Sequence, residues 1–478
     1  MPKPATGVWL GSSLSRRNSA PVVRKRMTGI RLHRVLRTWN LLPVLVVLAI
    51  VAAGFAGDRW RAGPPPDASP LDLPTPAFGP ANFEMALADA DRHIELGREK
   101  LRRAPGDWTS FEVLANGLMV RARLTGDYSE WAEARRLLDI GMAMAPKASG
   151  PVVANAALAL STHRLAVAER ALETIEGAAV PPDRGHMTGM AGLSGDIAFY
   201  RGDMSAARRQ YARGRGLGGG SAIDFRLAVL AAAQARFADA DAAIWRSVSG
   251  SRQHTPQMLA QAALRLGAHA LSRGEWHSAE LWFTRADELF PGYWLIAAHR
   301  VQARALRGDA TAAEQMAAIA ASSNSAEAMD ATAMLFRQRG DGLNSRRWSG
   351  RAAVLWKERL RLLPEAAYGH AVEHELAFGN SATALDLALR NVAQRPYGES
   401  RLLLASALLM NNRPQDALDE IARAEASGWR SAPLYALKAE AAALAGRPEA
   451  AELARAAALR INPQIFHPRA PLIWFSHG

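Results

Sequence analysis

From Asn82 to about residue 464, apolar side chains return every three or four positions and strand-like alternation is almost absent. That period predicts stacked α-helices, hence an all-α fold. Self-similarity sharpens the picture. Ten small anchors recur, Ala134, Ala168, Ala207, Ala240, Ala279, Ala313, Ala352, Ala384, Ala417 and Ala451, at intervals of 34, 39, 33, 39, 34, 39, 32, 33 and 34 residues. One helical turn after the first nine stands an apolar residue, among them Leu138, Tyr211, Phe283 and Trp356, so each pair marks the buried stripe of a helix. The tenth anchor is followed instead by Arg455, which suits a terminal repeat with no neighbour to cover it. Five residues before the anchor, Gly202, Gly274, Gly308, Gly379 and Gly446 predict a tight turn. Twelve residues after it, Pro146, Pro291, Pro364, Pro396 and Pro463 stop the helix. The unit is a helix, a turn and a second helix.

In this arrangement the chain resembles the tetratricopeptide repeat (TPR) family, whose pattern is best kept by Leu266-Gly267, Gly274, Ala279, Phe283, Ala286 and Pro291. The resemblance covers roughly residues 107–463, with one more amphipathic helix from Phe83 to Arg103 in front, so the array occupies 83–464. It implies a right-handed α-solenoid of about ten helix-turn-helix repeats, with the first helix of each repeat lining a concave groove. The 39-residue intervals place extra residues near Pro181-Pro182, between Gly250 and Pro256, and between Gly340 and Asn344; enlarged turns are expected around Ala134 and Ala352.

Projected onto that register, the groove positions include Phe199, Tyr200, Phe225, Arg226, Arg265, His299, Gln302, His370 and Glu373. Arginines among aromatics suit an extended peptide or the acidic segment of a protein partner. The bland reading is that any one of them belongs to a solvated solenoid face.

Catalytic motifs are weak. His370-Ala-Val-Glu373-His374 has the H-x-x-E-H form of inverted zinc peptidases, but the register turns His374 toward the neighbouring helix and His370 and Glu373 toward the groove. A third ligand, Glu449 or Glu452, would have to be brought in by the fold. A metal-dependent hydrolase built on this string is the alternative function. Gly214-Arg-Gly216-Leu-Gly218-Gly219 matches a dinucleotide loop only superficially, since it follows a helix. The chain has no cysteine, which excludes thiolate ligands and a thiol nucleophile. We therefore expect no enzyme activity, catalytic residue, bound metal or cofactor.

Charge changes the picture at the amino terminus. The net charge of +13 over 478 residues invites a nucleic-acid reading, yet residues 1–57 hold nine Lys/Arg and no Asp or Glu, leaving +4 for the other 421. A nearly balanced array argues against nucleic acid as the partner. The uncharged run 38–57 is about 30 Å long as a helix, enough to cross a bilayer. Cations on one flank place residues 1–37 in the cytoplasm and the rest beyond it. A cleaved signal peptide ending near Gly54-Phe55-Ala56 is the alternative, and both versions export the array. Residues 58–82, with seven prolines, read as an extended spacer. The expectation is a single-pass inner-membrane protein of a Gram-negative-type envelope, its solenoid scaffolding protein partners in the periplasm. The tail 465–478 holds Ile465, Phe466, Leu472, Ile473, Trp474 and Phe475, which should not stay in water. We expect it to fold over the last repeat as an apolar cap; a docking peptide for a partner is the other reading.

Overall fold

The structure is a computed structural model that describes residues 69–475 apart from 147–148, 178–182 and 251–253. The basic tail, the span 38–57 and the first part of the proline-rich stretch lie outside the described residues. Among the described residues there are 21 α-helices, none long and apolar enough to cross a membrane.

Helix α1 (Phe83–Arg103) precedes ten hairpins. They are α2/α3 (Trp108–Thr125, Tyr128–Met144), α4/α5 (Val152–Ser161, Leu165–Glu176), α6/α7 (Arg184–Tyr200, Met204–Gly216) and α8/α9 (Ser221–Ala232, Phe237–Ser249). Next come α10/α11 (Pro256–Ser272, Trp276–Leu289), α12/α13 (Trp294–Arg307, Ala312–Ser323) and α14/α15 (Ala326–Gln338, Gly342–Leu362). The last three are α16/α17 (Pro364–Phe378, Ser381–Gln394), α18/α19 (Gly398–Met410, Pro414–Ala426) and α20/α21 (Ala432–Leu444, Pro448–Ile461).

Every anchor alanine lies in the second helix of a hairpin, and all ten are buried. A methyl there lets the first helix approach closely, and the residue one turn on fills the remaining space. Phe283 and Tyr211 show the fit: a Cβ on Gly267 or Gly195 would fall inside the opposing ring, so glycine is needed at both. Seven turns carry a left-handed residue at the same place, five before the anchor: His163, Gly202, Ala235, Gly274, Gly308, Asn412 and Gly446. Periodic glycine revealed four of them, while His, Ala and Asn hid the other three. Gly379 turns differently, with φ −110°.

Two expected insertions appear elsewhere. The turns before Ala134 and Ala352 are short, and the extra residues extend the second helix, so α15 reaches 21 residues. Helix α15 begins directly after the Asp341 cap, whose carboxylate accepts from the Asn344 N–H at 3.0 Å.

Successive first helices touch toward both ends of the array, α2 with α4, α4 with α6, α6 with α8, α16 with α18 and α18 with α20, whereas no successive pair of second helices makes comparable contact. The stack is therefore wedge-shaped and curves with the first helices inside. The curve is tight enough for one hairpin's turn to meet the connection that follows the hairpin five further on. Gly202, at the α6/α7 turn, lies against Pro396. The Arg430 N–H donates to the Ala233 carbonyl at 2.9 Å, and Gly274 abuts Asn462. Consequently α10, α12 and α14 are buried on nearly every face, and the largest apolar core takes in both Leu73 and Phe475, while α1 to α4 pack a separate one.

The two flanking segments also differ from expectation. The described half of the proline-rich stretch is docked on the array: Leu73 is buried, and the Ala77 N–H donates to the His254 carbonyl at 2.8 Å. The tail does not cap the last hairpin. Phe466 stays there, under the Arg455 guanidinium at 4.1 Å, and the chain then crosses to hairpins α12/α13 and α14/α15. Burying Leu472 and Phe475 needs a deep apolar seat, and the exposed flank of α21 offers none.

Candidate functional site

The sequence-derived groove residues fall into four places. Phe199 and Tyr200, at the end of α6, join a seam between turns of the coil. Tyr200 meets Tyr397 edge-on at 5.2 Å, and Phe199 lies 6.2 Å from Trp429. Burial raises the pKa of the Tyr200 hydroxyl.

Phe225 and Arg226 on α8 and Arg265 on α10 line the inner wall of the early hairpins. Arg226 is neutralised: its Nε donates to both Asp196 carboxylate oxygens at 2.9 Å, and Asp196 also accepts from the Tyr211 hydroxyl. Arg265 is not. It stands 5.3 Å over the Phe225 ring and has no hydrogen bond or ion pair among the described residues. Burial lowers its pKa to about 10, which the nearby Tyr200 hydroxyl only partly offsets. A guanidinium keeps its charge at neutral pH even so, and an unpaired one in a recess is costly.

His299 and Gln302 on α12 are fully covered, at 0% and 2% exposed. Their cover is the protein's own tail. His299 sits between Phe283 (4.9 Å) and Phe475 (5.4 Å). Gln302 Oε1 accepts from the backbone N–H groups of Trp474 (2.6 Å) and Phe475 (2.7 Å), and its Nε2 donates to the Phe475 carbonyl at 2.8 Å.

His370 and Glu373 on α16 bond each other at 2.8 Å, with His370 stacked on Trp356. Burial disfavours the imidazolium, but the Glu373 hydrogen bond and charge outweigh it and raise the His370 pKa. His374 instead turns its Nδ1 to Asp330 on α14, at 2.7 Å. The two imidazoles of the H-x-x-E-H string thus serve different carboxylates, and no group of three or more metal-ligating side chains forms among the described residues.

Sequence reasoning missed the polar cluster to which His374 belongs. Asp330, 0% exposed, also accepts from Trp356 Nε1 at 2.7 Å, and burial raises its pKa despite both partners. Beside it, Arg359 on α15 donates to Glu327 at 2.8 Å while stacking over Tyr128 (4.6 Å) and Trp356 (4.8 Å). Burial would raise the Glu327 pKa, but Arg359 and His370 bring it down to about 2. The available signal was two carboxylates among the alanines and methionines of α14; their partners lie 26 to 44 residues away.

No protein-family profile matches the chain, and no curated protein matches it by sequence. Among solved structures it is similar to the crystal structure of the P58(IPK) TPR domain, at 11% identity over 75% of this chain and 99% of that one, with a TM-score of 0.22. At that level the repeat architecture rests on the chain's own ten hairpins.

Proposed function

We propose that this protein is a non-catalytic scaffold that binds a partner protein on the inner wall of its early hairpins. The observation that carries the reading is Arg265, a recessed cation without a counter-charge, flanked by Phe225 and Tyr200. A partner segment bringing a carboxylate and an apolar side chain would pair the guanidinium and cover the ring. The basic, uncharged and proline-rich order of residues 1–82 supports a companion reading: the scaffold is held at the inner membrane by 38–57 and works on the periplasmic side, in export or assembly of envelope components.

A photo-crosslinking amino acid at position 225, in cells expressing the full chain, tests the binding surface. A discrete adduct that disappears with Arg265→Glu is expected; an adduct unchanged by Arg265→Glu, or none at all, refutes it. A carboxyl-terminal reporter active only in the cytoplasm would end the membrane reading alone.

A further inference from the structure

The tail is held in the manner of a bound peptide. Between Asn462 and Leu472 its own hydrogen bonds are local turns, such as Ala470 N–H to the His467 carbonyl at 2.8 Å. Its polar contacts with the hairpins along that stretch are long, Arg469 Nη1 to the Leu306 carbonyl at 3.3 Å and Gln338 Nε2 to the Pro468 carbonyl at 3.5 Å. Beyond Phe466, the His467 ring meets Trp276 edge-on at 5.0 Å and Leu472 is buried, and two further residues fix the end of the tail. Trp474 lies 6.1 Å from the Phe378 ring, and Phe475, 6% exposed, enters against His299. Gln302 clasps the backbone between them with three hydrogen bonds, all of them to the tail.

That division has a chemical meaning. A carboxamide that both accepts from and donates to main-chain groups reads the backbone of an extended segment without regard to its side chains. The side chains are then read by two apolar seats, one at Phe378 and one at His299. A cap evolved only to cover the core would meet it with an apolar wall; a buried glutamine whose three bonds all go to a removable segment is costly whenever that segment leaves.

We infer that α12, with Phe378 of α16, forms a peptide cradle that the tail occupies in cis, and that the cradle accepts a partner's extended segment bearing two adjacent aromatic side chains. The tail acts as a tethered competitor, whose effective concentration sets how strong a partner must be. This does not depend on Arg265: the two contacts lie on different hairpins, so either can fail without the other.

The test uses the full chain with Trp474→Ala and Phe475→Ala, and a fluorescein-labelled synthetic peptide of residues 465–475 carrying added amino-terminal lysines. Anisotropy should show saturable binding to the double variant, at least tenfold weaker binding to the unaltered chain, and none once Gln302→Ala is added. Absence of binding to a double variant that keeps its helical circular dichroism overturns the inference. Loss of helicity in the double variant also overturns it, because the tail would then be part of the fold. A dimer of the unaltered chain in light scattering that dissociates with Phe475→Ala would name a second copy, and not a different protein, as the occupant. Hydrogen exchange gives a check without those variants: Gln302→Ala alone should raise exchange at 472–475 and leave α12 protected, and equal protection of the tail refutes the clasp.

Discussion

Lowering the pH should unfasten the first hairpin through Glu327. Its carboxylate accepts from Arg359, which also stacks on Tyr128 at the start of α3, so the ion pair ties α14 and α15 to the amino-terminal end of the array. The pKa falls from an ordinary 4.5 to about 2, held down by Arg359 and His370 against the opposing effect of burial. A depressed carboxylate contributes stability that is present above its unfolded pKa and lost as the pH falls toward the folded one. At about 1.4 kcal/mol per unit the full contribution is about 3 kcal/mol, of which roughly 2 kcal/mol is gone by pH 3. Other carboxylates titrate in the same window, so the informative quantity is a difference. Urea unfolding followed by circular dichroism at several pH values between 7 and 3 should show Glu327→Gln less stable than the unaltered chain at neutral pH, with the two curves converging in acid. Hydrogen exchange should place the early opening in 108–144. Parallel curves, with the gap unchanged down to pH 3, would refute the reasoning and mean that the pair is screened in solution.

Three further outcomes follow from packing. Asp330→Ala leaves the buried Trp356 and His374 donors without their acceptor and should cost about 3 kcal/mol, whereas Asp330→Asn retains an oxygen for Trp356 and should cost about 1 kcal/mol or less in urea unfolding; equal losses would contradict the bonding. Ala235 holds φ +53° at a turn where four other hairpins use glycine, so Ala235→Gly should stabilise by roughly 0.5–1 kcal/mol, relief of left-handed strain exceeding the added chain entropy; a loss of stability would show that the turn is unstrained. Phe283→Ala, at a fully buried ring against Gly267 and His299, should cost about 3–5 kcal/mol, and Gly267→Ala should also destabilise by forcing that ring aside.

The hairpin architecture was legible because it is periodic. Small residues at Ala134 through Ala451 and glycines such as Gly202 and Gly274 are local solutions to local problems, a close helix approach and a left-handed turn. Each repeats because its problem repeats. Where the same problem was solved by an unexpected residue, as at His163 and Ala235, the pattern missed it. The candidate site was far less legible. Arg226 and Arg265 occupy comparable stretches of sequence, yet one is paired with Asp196 and the other stands alone, and only the coordinates of α6 and α10 distinguish them.

What the chain determined by itself is the list of helices, their pairing into hairpins and which faces they bury, since each depends on residues within about 34 positions of one another. What the tertiary structure decided is the pitch of the coil. The angle accumulated over five hairpins is a sum of small packing choices that no single repeat displays. It brings Ala233 to Arg430, Arg359 to Tyr128 and Phe475 to His299. Those long-range meetings cover most of what would otherwise be an open groove, leave Arg265 without a counter-charge, and turn the apolar tail from an end cap into the occupant of the Gln302 cradle.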